Sequence, residues 1–334
     1  MNQTLASIFI REQVIDAIRE FFKHDGFHEI ITPVLNQGLP LEPNLYSFST
    51  EWQYLDRQQT LYLPTSPEAG LKKMLALGLE KVFAISPSFR NQEPADQEHN
   101  PEFLMLEWYR SNADYQQIMV DVEELIHFVA KKLATVKRQQ LKYQEEIINL
   151  TTPWKRVSLA ELFFKEINQP IANFLRLSEM QSLAKKLGYQ TQNSTWEQLF
   201  NQVFIELLEP QLGKQPVFLI DFPARISPLC KPKPDQLFLA QRFEVYLAGM
   251  ELGNGNTEET KVEKVQGYFQ KEQDFRVKNK LSIPKIDQQF LQALKRLDQT
   301  NKNYAGIGLG VERLAMILAN ESEIKTINPF ALKS

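Results

Sequence analysis

The chain has 334 residues and a formal charge of −3, with 43% apolar and 24% charged residues. At about 150 residues per domain that is one large domain or two, and the composition excludes collagen-like, mucin-like and wholly disordered chains. The apolar runs, Leu314–Ala319 among the longest, fall far short of the roughly 18–20 residues that cross a bilayer. The start has no basic stretch ahead of Arg11 and Glu12, so it does not read as a signal peptide. A single cysteine, Cys230, cannot form an internal disulfide, and four histidines leave few soft metal ligands. A reducing, cytoplasmic setting is expected, with no membrane contact. The near-neutral balance gives no support to wholesale electrostatic binding of nucleic acid.

In chain order, Val14, Ile15, Ile18, Phe21 and Phe22 recur at helical steps, which predicts a helix over Arg11 to His24 ended by Gly26. Phe27 to Val34 is extended and contains Pro33, as a strand edge tolerates. Val82–Ile85 and Phe103–Tyr109 read as strands, and Ile118 to Leu133 as an amphipathic helix. Residues 140–215 are polar, with helical patches at Leu159–Ile167, Leu177–Leu187 and Trp196–Leu208, and read as a helical insertion between two halves of a sheet. Val217–Ile220 is β-rich, and Arg242–Leu247 with Met250–Gly253 reads as a hairpin about Ala248-Gly249. Ile286–Leu297 is helical, and Gly306–Gly310 runs as a strand into a helix over Val311–Ala319. Strands and helices mix without a βαβ rhythm, which favours an antiparallel α+β fold.

Three segments could carry chemistry. Around Phe89-Arg90-Asn91 and His99 to Tyr109 a hairpin with a long polar tip is expected, and period two puts Phe103, Met105, Glu107 and Tyr109 on one strand face. An aromatic, a carboxylate and a phenol on an open face can stack a base and bind an amine, with Arg90 free to hold an anion. A half-exposed hairpin with scattered polar residues is the plain alternative. In the second hairpin Tyr246 should lie opposite Glu251, with Glu244 its diagonal neighbour. Two such carboxylates repel unless a cation lies between them, and oxygen ligands suit Mg²⁺. A surface pair splayed into solvent remains the alternative. Asn254, Gly255 and Glu258 extend this polar cluster. Third, Gly306, Gly308 and Gly310 leave one strand face bare, and Arg313 sits in the first turn of the next helix, where a bound anion would offset its unfavourable position. The glycine spacing is neither a Walker loop nor a Rossmann fingerprint.

Together these segments resemble the three signature motifs of class II aminoacyl-tRNA synthetases. Gly26-Phe27-His28-Glu29-Ile30-Ile31-Thr32-Pro33 looks like motif 1, Phe89-Arg90-Asn91 through Glu107 like motif 2, and Gly306 to Leu314 like motif 3. Within the class, Thr65-Ser66-Pro67-Glu68, His99-Asn100-Pro101-Glu102-Phe103 and Glu251-Leu252-Gly253-Asn254-Gly255 are similar to the lysyl-tRNA synthetase core. Tyr62 to Asn91, Glu107 to Arg110, Arg242 to Tyr246 and Pro284 to Leu294 are closer still to its short paralogues, the elongation factor P–(R)-β-lysine ligases.

The resemblance implies ATP-dependent activation of lysine or (R)-β-lysine as the adenylate, and transfer to a lysine side chain of elongation factor P. It implies one catalytic domain over residues 1–334, with about ten residues before the first helix and so no anticodon-binding domain, and a homodimer through motif 1. Arg90 and Arg313 would be catalytic and bind ATP phosphates. Phe103 would stack on adenine beside His99 and Asn100, with Gln92 accepting from the adenine amino group. Gly310 and Glu244 complete the ATP set, and Glu244 with Glu251 would hold Mg²⁺. Ser66, Glu68, Glu107, Tyr109, Asn254, Glu258 and Gly308 would bind the amino acid, Glu68 near its reacting carboxyl and Glu258, Tyr109 and Glu107 at the distant amine. The rival readings are a truncated lysyl-tRNA synthetase-like enzyme that charges tRNA, disfavoured by the lack of a basic stripe, and a non-catalytic amino-acid-binding paralogue.

Four features depart from the family pattern. Gln92 replaces a usual Glu, and Gln97 and Glu98 stand where an arginine usually precedes His-Asn-Pro, in a loop one residue longer. Asn256 replaces a usual Phe, and Gly308 stands where the ligases have Ala. The missing methyl enlarges the pocket floor, in favour of α-lysine.

Overall fold

A computed structural model of the chain describes residues 3–133, 136–137 and 139–332. Val14, Ile18 and Phe22, one helical turn apart, form the buried stripe of helix α1 (Gln3–His24), which starts earlier than the apolar period alone indicates. Gly26, in the left-handed region at φ 76, lets the chain turn away from it.

Eight strands form the main sheet: β1 (His28–Glu29), β2 (Lys81–Phe89), β3 (Glu102–Ser111), β4 (Lys155–Ser158), β5 (Val217–Ile220), β6 (Arg242–Leu247), β7 (Met250–Thr257) and β8 (Tyr304–Gly310). Their order is β1-β2-β3-β8-β7-β6-β5-β4. The six central strands pair antiparallel, and the two marginal strands, β1 and β4, join in parallel. The fold is α+β, as the sequence pattern indicates. The remaining main helices are α2 (Glu68–Ala76), α3 (Tyr115–Lys132), α4 (Leu159–Ile167), α5 (Leu177–Lys186), α6 (Trp196–Val203), α7 (Val262–Lys278), α8 (Gln288–Gln299) and α9 (Val311–Ala319).

Period two sorts each central strand into two faces. Phe83, Leu106, Trp108, Phe243, Ile307 and Leu309 face one core with α1, α3 and α9. Trp108 is wholly buried there, with its ring 5.1 Å from that of Phe22. Such a side chain contributes roughly 1.5–3 kcal/mol by leaving water. The second face is covered only towards its margins. On one side α4, α5 and α6 pack on Val217, Leu219 and Tyr246. On the other, Leu71 and Leu75 of α2 and Leu297 of α8 pack on Val82, Ala84, Tyr109 and Tyr304. Between these covers the middle of the sheet stays open.

The middle of the chain differs from the expectation of a helical insertion over 140–215. It opens with strands at Gln140–Tyr143 and Glu146–Asn149, and Lys155–Ser158 is itself a strand of the main sheet. The helical part begins at Leu159, and the three predicted patches become α4, α5 and α6, the last continuing as a wider turn over Phe204–Leu208. Among the described residues no helix is long and apolar enough to cross a membrane.

Candidate active site

A cavity of about 1210 Å³ occupies the uncovered middle of the sheet. At one end stand two arginines. Arg90 follows β2 directly, and its backbone N–H donates to the Pro101 carbonyl at 2.9 Å. Its guanidinium lies over the Phe103 ring, 5.2 Å from the centroid, and its Nε is buried without a hydrogen-bond partner. An unmatched buried donor beside an open cavity suits an anion. Arg313, in the first turn of α9, donates from Nη1 to the Glu251 carbonyl at 2.7 Å and from Nη2 to His99 Nε2 at 2.7 Å. The His99 Nδ1–H then donates to Asp96 Oδ1 at 2.8 Å, a tautomer set by its arginine neighbour. Glu312, beside Arg313, is buried and accepts from Arg11 Nη2 at 2.9 Å and from Leu104 N at 3.0 Å. It ties α9 to α1 and β3, and so fixes the root of Arg313.

The β6–β7 hairpin supplies the acidic wall beside these arginines. Ala248 and Gly249 both lie at positive φ, 57° and 83°, the two-residue turn that matches strand twist. Tyr246 pairs with Glu251, as its spacing predicts. A register shift follows, so that Glu244 faces Asn254, which in turn faces Gly308 on β8. Both Glu244 oxygens are engaged, one by Arg242 Nη2 and one by the Tyr246 hydroxyl, each at 2.9 Å. Burial, and then the charge of Glu251, push the Glu244 carboxyl up to about 7. Two repelling oxygen donors suit a hard divalent cation. Among the described residues no group of three or more His, Cys, Asp or Glu could hold a metal by itself, so a cation would need further oxygens from a bound phosphate.

At the other end the cavity is acidic around one internal cation. Lys72, 1% exposed on α2, gives its ammonium to Glu68 one turn earlier and to Glu258 Oε2 at 2.5 Å. Burial works against this charge, but the Glu258 and Glu68 carboxylates outweigh it and hold the ammonium well above the ordinary lysine range. Glu107 Oε1 accepts the Tyr109 hydroxyl at 2.5 Å, while its Oε2 is buried and unpartnered. Burial, reinforced by Glu68, raises the Glu107 carboxyl well above the usual range. Ser66 accepts from the Glu68 N–H at 3.2 Å, which steadies the start of α2.

The glycines of β8 serve different purposes. A Cβ on Gly306 would fall 2.2 Å from the Tyr109 ring, so the close approach there is internal packing. At Gly308 a Cβ would meet Met105 Sδ at 3.1 Å and Glu107 Oε2 at 3.9 Å, at the cavity floor. Gly310 lines the cavity beside Arg313.

The cavity wall thus brings together Arg90, His99, Asn100, Phe103, Glu244, Glu251, Gly310 and Arg313 with Ser66, Glu68, Glu107, Tyr109, Asn254 and Gly308. Three expectations change. Gln92 lies at φ 66 and is exposed off the wall, while the next residue, Glu93, lines it. Glu258 is 2% exposed and lies off the cavity wall, its carboxylate held by Lys72. Asn100 reaches the cavity, but its side chain is spent on backbone, donating to the Glu102 carbonyl and accepting from Leu332 N at 2.9 Å. The sequence reading missed Lys72, Glu42, Glu93, Arg242 and Glu312. Only Lys72 carried a signal, four residues after Glu68 on one helical face.

Comparison with known proteins fits this arrangement. The tRNA synthetases class II (D, K and N) match residues 1–334. The chain is 33% identical to lysine–tRNA ligase of Carboxydothermus hydrogenoformans over 99% of its own length and 66% of that protein's. It is 31% and 32% identical to the elongation factor P–(R)-β-lysine ligases of Haemophilus influenzae strains PittGG and Rd, spanning 95% and 94% of those proteins. The chain therefore spans 56–66% of the length of the lysine–tRNA ligases it matches and nearly all of the elongation factor P ligases. With a family match over residues 1–334 and the motif 2 and motif 3 residues on one cavity wall, the chain belongs to the class II tRNA synthetases of the D, K and N type.

Proposed function

We propose that the chain activates a diamino acid, lysine or (R)-β-lysine, with ATP and transfers it to a lysine side chain of elongation factor P. The observation that carries this reading is the polarity of the cavity, with Arg90 and Arg313 at one end and Glu68 and Glu107 at the other. A dicationic amino acid with one carboxylate is the complement of that arrangement, because each buried ammonium needs a partner. The near-complete span of the elongation factor P ligases and the slightly acidic net charge support a protein acceptor over tRNA.

In this reading the substrate carboxylate attacks the α-phosphate in line. A carboxyl oxygen–phosphorus bond forms and the bond to pyrophosphate breaks. Arg90 and Arg313 stabilise the charge gathering on the phosphates, and Phe103 carries the adenine. Glu244 and Glu251 would hold Mg²⁺, which screens phosphate charge when bound. The acceptor amine then attacks the adenylate carbonyl, AMP leaves, and the amine proton passes to solvent. No protein nucleophile is needed, so positioning supplies most of the rate.

At Gly308 a methyl would press on Met105 Sδ at 3.1 Å, and its absence from the cavity floor favours α-lysine over the β isomer. The homodimer belongs to the same reading. Ile31, 97% exposed in the motif 1 segment after β1, is an apolar residue that such an interface would cover. The test offers labelled α-lysine and (R)-β-lysine, in competition, to the chain with ATP, Mg²⁺, elongation factor P and tRNA. Label on elongation factor P, more from α-lysine, is expected. Label on tRNA alone would replace the acceptor, and a strong preference for the β isomer would overturn the Gly308 argument.

A further inference from the structure

The carboxylates at the amine end differ in what they already hold. Glu68 and Glu258 share the Lys72 ammonium, so one internal cation balances two of them before any substrate arrives. Glu107 has one oxygen on Tyr109. Glu42, half-buried on the cavity wall, has among the described residues neither a hydrogen bond nor an ion pair to its carboxylate. Burial and the Glu68 charge push it up to about 7, and Arg90 is the first charge to pull it back. A small second hollow is lined by Glu42 together with Thr65, Ser66 and Pro67, so Glu42 lies beside the turn that leads into Glu68, at the end of the cavity that the motifs give to the reacting carboxyl.

The loop that carries Glu42 is built from behind. Leu41 is 1% exposed in a core with α7 and α8, and Leu39 N donates to the Lys285 carbonyl at 2.8 Å. Arg276, itself 1% exposed, donates from Nη2 to the carbonyls of Glu42 at 2.7 Å and Leu45 at 2.9 Å. Its Nε donates to Glu272 Oε1 at 2.6 Å. A buried, paired guanidinium that grips both ends of a four-residue turn is an expensive support. The one ionisable side chain that the turn presents to the cavity is Glu42.

Resting on the functional reading above, we propose that Glu42 receives the amine nearest the reacting carboxyl of the diamino acid, and so selects substrates that carry it. The motifs assign that amine to Glu68, whose charge Lys72 already balances. Glu42 is a specificity-determining residue outside all three signature motifs.

The test compares lysine with 6-aminohexanoic acid, which keeps the carboxyl and the distant amine but lacks the near one. KM for lysine is read from lysine-dependent pyrophosphate exchange, and 6-aminohexanoic acid is read as a competitor in the same assay. Glu42→Gln is expected to raise KM for lysine roughly 10- to 100-fold, the range of a lost charged hydrogen bond. The inhibition constant of 6-aminohexanoic acid should stay within about twofold, and Glu42→Asp should recover most of the lysine affinity. Equal changes for both ligands, or none for either, overturn the assignment. No exchange by the unaltered chain with either lysine isomer overturns the functional reading, and this assignment with it.

Discussion

The two ends of the cavity hold their charges in different ways. At the amine end Lys72 is wholly buried, shared by two carboxylates and held charged by them. At the phosphate end Arg90 keeps a buried Nε with no partner, and Arg313 leans on a carbonyl and a histidine. Internal pairing of the first kind supports the fold, since removing one partner strands the others in a dry site. Loosely held guanidinium groups of the second kind leave donors for a ligand. The contrast separates residues that hold the site together from residues that hold its substrates.

That separation can be broken by substitution. Lys72→Met leaves Glu68 and Glu258 buried without their cation, and is expected to cost about 3–5 kcal/mol. Urea denaturation measures it, and a loss below about 1 kcal/mol would remove the structural role given to Lys72. Arg313→Ala should act the other way round. Pyrophosphate exchange should fall roughly 10²–10³-fold, as for removal of a charge-stabilising donor, while stability changes by less than about 1 kcal/mol. A large loss of stability with little loss of rate would reverse the assignment.

The smallest expected effect is one of pH. Burial lifts Glu42 and Glu244 from 4.5 to about 7. The folded, unliganded protein therefore binds protons more tightly there than the unfolded chain does. Their contribution to stability is complete below about pH 4.5 and is lost as pH rises through about 7. Bound cations favour the ionised carboxylates, so the rise in melting temperature caused by lysine with ATP and Mg²⁺ should be larger at pH 8 than at pH 6. An equal or smaller rise at pH 8 would contradict the raised values.

Much of this was legible in the sequence where apolar period and turn chemistry agree. Helix α9 begins and ends where the pattern puts it, and α3 and the Ala248-Gly249 hairpin follow from the same rules. Helices α2 and α7 were not legible, because their buried faces carry charge. Glu68 and Lys72 sit beside Leu71 and Leu75, and Glu272 and Arg276 beside Val265 and Phe269. Each buried charge is matched by a partner distant in sequence, such as Glu258 for Lys72, which no local window reveals. The same cause moved Glu258 from the expected cavity wall to the layer behind it. Gln92 stands off the wall for a different reason, a left-handed backbone at φ 66 that no apolar period signals. Glu42 stands alone between Leu41 and Pro43, with no periodicity to single it out.

Pyrophosphate exchange with lysine set against norleucine tests the central claim most directly, because norleucine lacks only the distant amine. With its arginine end for the phosphates and its carboxylate end for amines, the cavity should support ATP-dependent exchange with lysine and exchange with norleucine at least roughly 100-fold less efficiently. Comparable exchange with both amino acids, or exchange with neither lysine isomer, would contradict the account.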